Sequence, residues 1–220
     1  MSAHHQDPHQ GQQVYSAGED LSSASCAMIL IHGRGASGPS ILELASVLTA
    51  PGMAYLAPQA AGSTWYPYSF LAPRSQNEPG ISSGLAAIAS LVAQIEAAGL
   101  SSDRIVLAGF SQGACLASEF VARHPKRYGG LLVFSGGLIG PPGEPFNLDG
   151  DLSGTPVFLG CSDVDFHIPL ERVEETAREL MDMGADVTKK IYPGMGHTII
   201  KDEIVQAQRI LLALTPLRNF

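Results

Sequence analysis

The apolar run Ile105-Val106-Leu107-Ala108 leads directly into Gly109-Phe110-Ser111-Gln112-Gly113, and the stretch Ala114 to Arg123 that follows has the spacing of a helix. A strand can turn into a helix this abruptly only if the backbone at the turn is strained. The flanking positions must also lack side chains, because a Cβ at either glycine would collide with the neighbouring strand or helix. Gly109 and Gly113 meet that demand, and Ser111 is left on the turn with its hydroxyl pushed above the sheet edge. This is the pattern of a nucleophile elbow. The pentapeptide alone is common. Its place between a strand and a helix is what makes it informative.

The rest of the chain has the same rhythm. Cys26 to Ile31, Met53 to Ala57, Leu131 to Phe134, Pro156 to Gly160 and Val187 to Tyr192 read as further strands. Where their apolar residues run on rather than alternate, burial on both faces is implied. Helices are expected over Pro39 to Leu48, Pro79 to Ala98, the stretch after Ser111, Ile168 to Met183 and Asp202 to Leu214. Ile81, Leu85, Ile88, Leu91, Val92 and Ile95 share one face of the longest, and Gly99 ends it. Strands alternating with helices of this length imply an α/β chain with a mostly parallel, doubly wound sheet and helices on both faces. Two longer loops, 60–79 and 136–153, break the rhythm, and such loops are often functional.

At 220 residues and 45% hydrophobic content the chain suits one domain, here 14–220. Residues 1–13 are rich in His, Gln and Asp and read as a disordered tail. His4, His5 and His9 in that tail could take up a metal only adventitiously. The net charge of −8 and the lack of a basic cluster argue against a nucleic-acid partner. Three irregularly spaced cysteines, Cys26, Cys115 and Cys161, fit neither a disulfide framework nor a zinc site, and point to a reducing, cytoplasmic setting. No signal-peptide pattern or membrane-length apolar run is read in the chain, so stable membrane insertion is not expected.

A serine hydroxyl becomes a useful nucleophile only beside an imidazole that takes its proton and a carboxylate that orients the imidazole. His197, in the Gly-rich loop Pro193-Gly194-Met195-Gly196-His197 after the last strand, is placed to reach back over the sheet edge. His167 is the other histidine well beyond the elbow, and His124 is simplest as a helix-end residue. Asp163 and Asp165 both follow the strand ending at Gly160, and either could orient the ring. Two backbone N–H groups are needed against the developing oxyanion. Gln112, after the nucleophile, and Arg34, in His32-Gly33-Arg34-Gly35, occupy the positions expected of them.

Gly33-Arg34-Gly35-Ala36-Ser37-Gly38 also matches the dinucleotide-binding pattern G-x-G-x-x-G. The acidic residue that should follow the next strand is missing at Ala57-Pro58-Gln59, so that reading is set aside. Trp65, Tyr66, Phe70 and Leu71 belong to an aromatic-rich loop that reads either as the wall of an acyl pocket or as a satellite hydrophobic cluster.

Together, His32-Gly33-x-Gly35, Trp65-Tyr66, the pentapeptide around Ser111, Asp163-x-Asp165 before Ile168-Pro169, and Tyr192-x-Gly194-Met195-x-His197 resemble the phospholipase/carboxylesterase family of α/β-hydrolases, which includes the acyl-protein thioesterases. The resemblance spans Cys26 to Leu214. It implies a compact α/β-hydrolase fold, with Ser111 as nucleophile, His197 as base, and Asp165 rather than Asp163 as the orienting acid. It also supports Arg34 and Gln112 as oxyanion donors. The chain departs from the family at Arg34, where many relatives are apolar, at Ala36, where many carry Asp, and at Ala114, where a second glycine is frequent.

The expected activity is that of a serine carboxylesterase acting through an acyl-enzyme, with no cofactor and no metal. A thioesterase or lysophospholipase for long acyl chains is the alternative enzyme, and a non-catalytic binding module the alternative from another class. The expected partner is a small-molecule ester or thioester. Relatives often dimerise, and the aromatic loop offers a surface for a homodimer.

Overall fold

The structure is a computed structural model and describes residues 7–214. Seven strands form one sheet: β1 (Val14–Gly18), β2 (Cys26–Ile31), β3 (Met53–Pro58), β4 (Ile105–Phe110), β5 (Gly130–Phe134), β6 (Pro156–Ser162) and β7 (Asp186–Tyr192). The helices are α1 (Gly38–Leu42), α2 (Arg74–Asn77), α3 (Gly80–Ala97), α4 (Gln112–Arg123), α5 (Leu170–Asp182) and α6 (Lys201–Leu212). The strand order is β1-β3-β2-β4-β5-β6-β7, parallel throughout except that β1 runs antiparallel to β3. This is the mostly parallel sheet of an α/β-hydrolase.

Successive residues of a strand point to opposite faces, so a strand buried on both sides feeds two cores. In β2, Ala27, Ile29 and Ile31 join the core packed under α3, α4 and α5, while Cys26, Met28 and Leu30 join the one under α1 and α6. The apolar face of α3 carries Ile81, Ile88, Leu91, Val92 and Ile95 into the first core. That helix is long and apolar enough to span a membrane by composition alone, yet its apolar residues are spent on the protein interior.

Three features depart from the sequence reading. The helix expected over Pro39 to Leu48 stops at Leu42 and continues as a 3-10 turn over Glu43–Ser46. The edge strand β1 was not expected as a strand, because its half-exposed residues carry no continuous apolar run.

The third departure lies in the supposed tail, of which 1–6 fall outside the described residues. Within 7–13 most residues are exposed, but the segment is anchored to the protein at His9. His9 is buried, its Nε2–H donates to the Trp65 carbonyl at 2.8 Å, and its Nδ1 accepts the Ala61 N–H at 3.1 Å. The His9 N–H donates to Ser83 Oγ at 2.8 Å, and Asp7 accepts from the same hydroxyl. These bonds satisfy polar groups that composition alone assigns to water, and burial depresses the pKa of His9.

Candidate active site

Ser111 sits between the end of β4 and the start of α4 with φ +55° and ψ −120°, a strained conformation for a residue with a Cβ. The flanking glycines permit it. A Cβ on Gly113 would lie 2.1 Å from the Ile31 carbonyl oxygen, and one on Gly109 would lie 2.5 Å from the Gly113 backbone. Hydrogen bonds hold the strained turn from both sides: the Ser111 N–H donates to the Phe134 carbonyl at 2.9 Å, and the Ser111 carbonyl accepts the Cys115 N–H at 3.0 Å.

The loop after β7 brings His197 over this edge. Its Nε2 is 2.9 Å from Ser111 Oγ, and its Nδ1 is 2.6 Å from Asp165 Oδ2. With Nδ1–H turned to the carboxylate, Nε2 is free to accept the serine proton. The side chain of Asp165 is fully buried, and its second oxygen, Oδ1, accepts the N–H groups of His167 at 2.9 Å and Ile168 at 3.2 Å. Burial pushes the Asp165 pKa up, but the hydrogen bonds from His197 and from these amides outweigh it and hold the carboxyl below its ordinary value. The acid is thus kept ionised beside the ring. Asp163 is turned elsewhere: its Oδ1 accepts the Gly194 N–H at 2.8 Å, tying the β6 loop to the loop that carries His197. His167 packs beside His197 with ring centroids 4.8 Å apart.

The two expected oxyanion donors lie at the same edge. Gln112 is the first residue of α4, so its N–H is one of the amides a helix leaves without an internal partner. The Arg34 N–H makes no hydrogen bond among the described residues. Both residues also line the cavity that contains Ser111.

That cavity has a volume of about 460 Å³, and Tyr66, Phe70, Phe110, Cys115 and Ile168 supply much of its wall. Of the four wall residues expected from sequence, Tyr66 and Phe70 line it, whereas Trp65 and Leu71 do not. Trp65 is fully buried beneath the wall, where its indole N–H donates to the His32 carbonyl at 2.9 Å. Leu71 packs against the main core.

The loop is also clasped by the Gln112 side chain, which accepts from the Trp65 N–H at 2.9 Å and donates to the Tyr66 carbonyl at 2.8 Å. Nothing in the sequence separated this task of Gln112 from its backbone one. The bracing of the loop by His9 likewise had no local signal. Among the described residues no group of three or more His, Cys, Asp or Glu side chains could hold a metal ion. Cys115 and Cys161 are buried thiols whose pKa values are each pushed up to about 12, chiefly by burial, which leaves them protonated.

A hydroxyl, an imidazole and an ionised carboxylate in this sequence of contacts can form and break an acyl-oxygen bond, provided a carbonyl lies over Ser111. The similarities of the chain agree with that chemistry. The family model described as phospholipase/carboxylesterase matches residues 15–214. A probable carboxylesterase of Oryza sativa subsp. japonica is 29% identical over 195 residues, covering 80% of this chain and 73% of the rice protein. An acyl-protein thioesterase 1 of Eremothecium gossypii is 30% identical over 197 residues, covering 80% of this chain and 82% of its own. The crystal structure of a phospholipase/carboxylesterase from Dyadobacter fermentans superposes with a TM-score of 0.88 at 43% identity, over 92% of this chain and 97% of that one.

Proposed function

The chain belongs to the phospholipase/carboxylesterase family, a family of ester and thioester hydrolases, and from that premise we propose that it is a serine carboxylesterase working through an acyl-enzyme on Ser111. The observation that carries the reading is the continuous contact from Ser111 Oγ to His197 Nε2 at 2.9 Å and from His197 Nδ1 to Asp165 Oδ2 at 2.6 Å.

In this mechanism the ester carbonyl lies over the turn, and its oxygen faces the Arg34 and Gln112 amides. His197 takes the Ser111 proton as Oγ attacks, and the Asp165 carboxylate stabilises the imidazolium. The tetrahedral oxyanion is held by the two N–H groups, each typically worth about 10²–10³ in rate. Collapse expels the alcohol, which leaves with the proton from Nε2. Water then attacks the acyl-enzyme with His197 again as base, and the acid is released as Ser111 is restored. No step calls for a cofactor.

A thioester substrate would pass through the same steps with a thiol as leaving group. That second reading is favoured by the likeness to the acyl-protein thioesterase of E. gossypii. The test of the nucleophile is Ser111→Ala, which should lower kcat on p-nitrophenyl butyrate by about 10⁶. A variant keeping more than about a hundredth of wild-type turnover is incompatible with the role, given the size of the effect in serine triads.

A further inference from the structure

The cavity over Ser111 is unlike the rest of the molecule in charge. The chain has 21 acidic against 13 basic residues, yet among the described residues no carboxylate lines the cavity, and Arg34 is its one permanently charged lining residue. Asp165, the nearest acid in the site, lies behind His197 with its side chain fully buried.

The Arg34 guanidinium is held in place without being neutralised. Nη1 donates to the Pro67 carbonyl at 2.8 Å, Nη2 donates to the Tyr68 carbonyl at 2.7 Å, and the guanidinium carbon lies 6.0 Å from the centre of the Tyr66 ring. Carbonyl oxygens fix a cation's position but carry no formal charge. Among the described residues no carboxylate lies within ion-pair distance of Arg34. The remaining guanidinium N–H groups are therefore uncommitted, on a residue that is itself exposed. A planar cation fixed in advance loses little entropy on binding, and its fork of donors suits a carboxylate or a phosphate oxygen pair.

We propose that Arg34 is a specificity residue that favours esters or thioesters carrying an anionic group, carboxylate or phosphate, within reach of the cavity. This rests on the hydrolase reading of Ser111 and adds the substrate class. It is separate from the backbone N–H of the same residue, and separate from the clamp that its side chain places on the aromatic loop. A clamp alone would act on every substrate equally, whereas a charge acts on anions selectively and is screened by salt.

The test uses two matched substrate pairs. On the acyl side, mono-p-nitrophenyl adipate is compared with p-nitrophenyl hexanoate. On the leaving-group side, the butyryl ester of p-hydroxybenzoate is compared with that of p-hydroxybenzamide. The quantity read is the ratio of kcat/KM for anionic over neutral substrate, in wild type, Arg34→Gln and Arg34→Lys, at low salt and at about 0.5 M salt.

In at least one pair the wild-type ratio should exceed that of Arg34→Gln by about five-fold, the scale of one exposed ion pair. Arg34→Lys should retain part of the excess, and high salt should shrink it. The pair that responds identifies whether the anion lies on the acyl or the leaving side. Equal ratios in wild type and Arg34→Gln for both pairs overturn the proposal, even if all rates fall together. Failure of wild type to hydrolyse the neutral esters in a Ser111-dependent way would instead sink the reading of the site on which the proposal rests.

Discussion

Replacing Glu203 by glutamine should remove a specific part of the pH dependence of stability. Glu203 is fully buried near the start of α6, with Oε2 accepting the Ile200 N–H at 2.9 Å and Oε1 without a partner among the described residues. It fits only because Gly160 on β6 has no side chain, since a Cβ there would lie 2.3 Å from Oε1. Burial raises its pKa from 4.5 to about 7, opposed by the Ile200 N–H and assisted by the charge of Asp202.

The folded protein therefore holds this proton more tightly than the unfolded chain does. The associated stability is complete below the unfolded value of 4.5 and is lost as pH climbs through about 7. A rise of that size is worth about 3 kcal/mol at ~1.4 kcal/mol per tenfold change in proton affinity. Glutamine keeps an acceptor for Ile200 and cannot ionise. Urea unfolding of both proteins at about pH 5 and about pH 8 should show wild type losing about 2.5 kcal/mol relative to Glu203→Gln across that interval, since part of the effect is already lost at about pH 5. Other titrating groups such as His9 and Asp165 are common to both proteins and cancel in the difference. Parallel pH profiles for the two proteins would refute the reasoning.

Three further substitutions probe the site and its support. Asp165→Asn should cost about 10⁴ in kcat, as loss of the orienting carboxylate does in serine triads, whereas Asp163→Asn should cost far less because Asp163 contacts the Gly194 amide and not the ring. Equal losses in steady-state kinetics would remove the distinction between them. Glu119 is fully buried on α4, paired with Arg74 and Arg123, and its Oε2 accepts the Ile139 N–H at 3.1 Å. Glu119→Ala should lower unfolding free energy by about 3–5 kcal/mol by leaving those partners uncompensated, and chemical denaturation measures it.

The fold was legible where burial is complete. Strands β2, β4, β5 and β6 are runs whose members are almost all buried, so their apolar sequence identifies them without knowledge of their neighbours. Strand β1 is defined instead by its pairing with β3, a tertiary event with no local signature. The segment 7–13 escaped for the same reason. Its anchor, His9 with Asp7, is matched by Trp65, Ala61 and Ser83, all more than fifty residues away along the chain.

At the site, the candidates Ser111, His197 and the Asp163/Asp165 pair were legible because the chemistry demands those residue types on loops at one sheet edge. The residues themselves left Asp163 and Asp165 open, because the two differ only in which way the β6 loop turns them. In the structure Asp165 meets His197 and Asp163 meets Gly194. The bonds by which the Arg34 and Gln112 side chains hold the aromatic loop were out of reach, since they go to backbone groups that any sequence would supply.

The most direct measurement is intact-mass analysis after treatment with a fluorophosphonate, followed by peptide mapping. The account predicts a single stoichiometric adduct on Ser111, formed quickly in wild type and at a greatly reduced rate in His197→Ala. An unmodified Ser111, or labelling at the same speed without the imidazole, would contradict it.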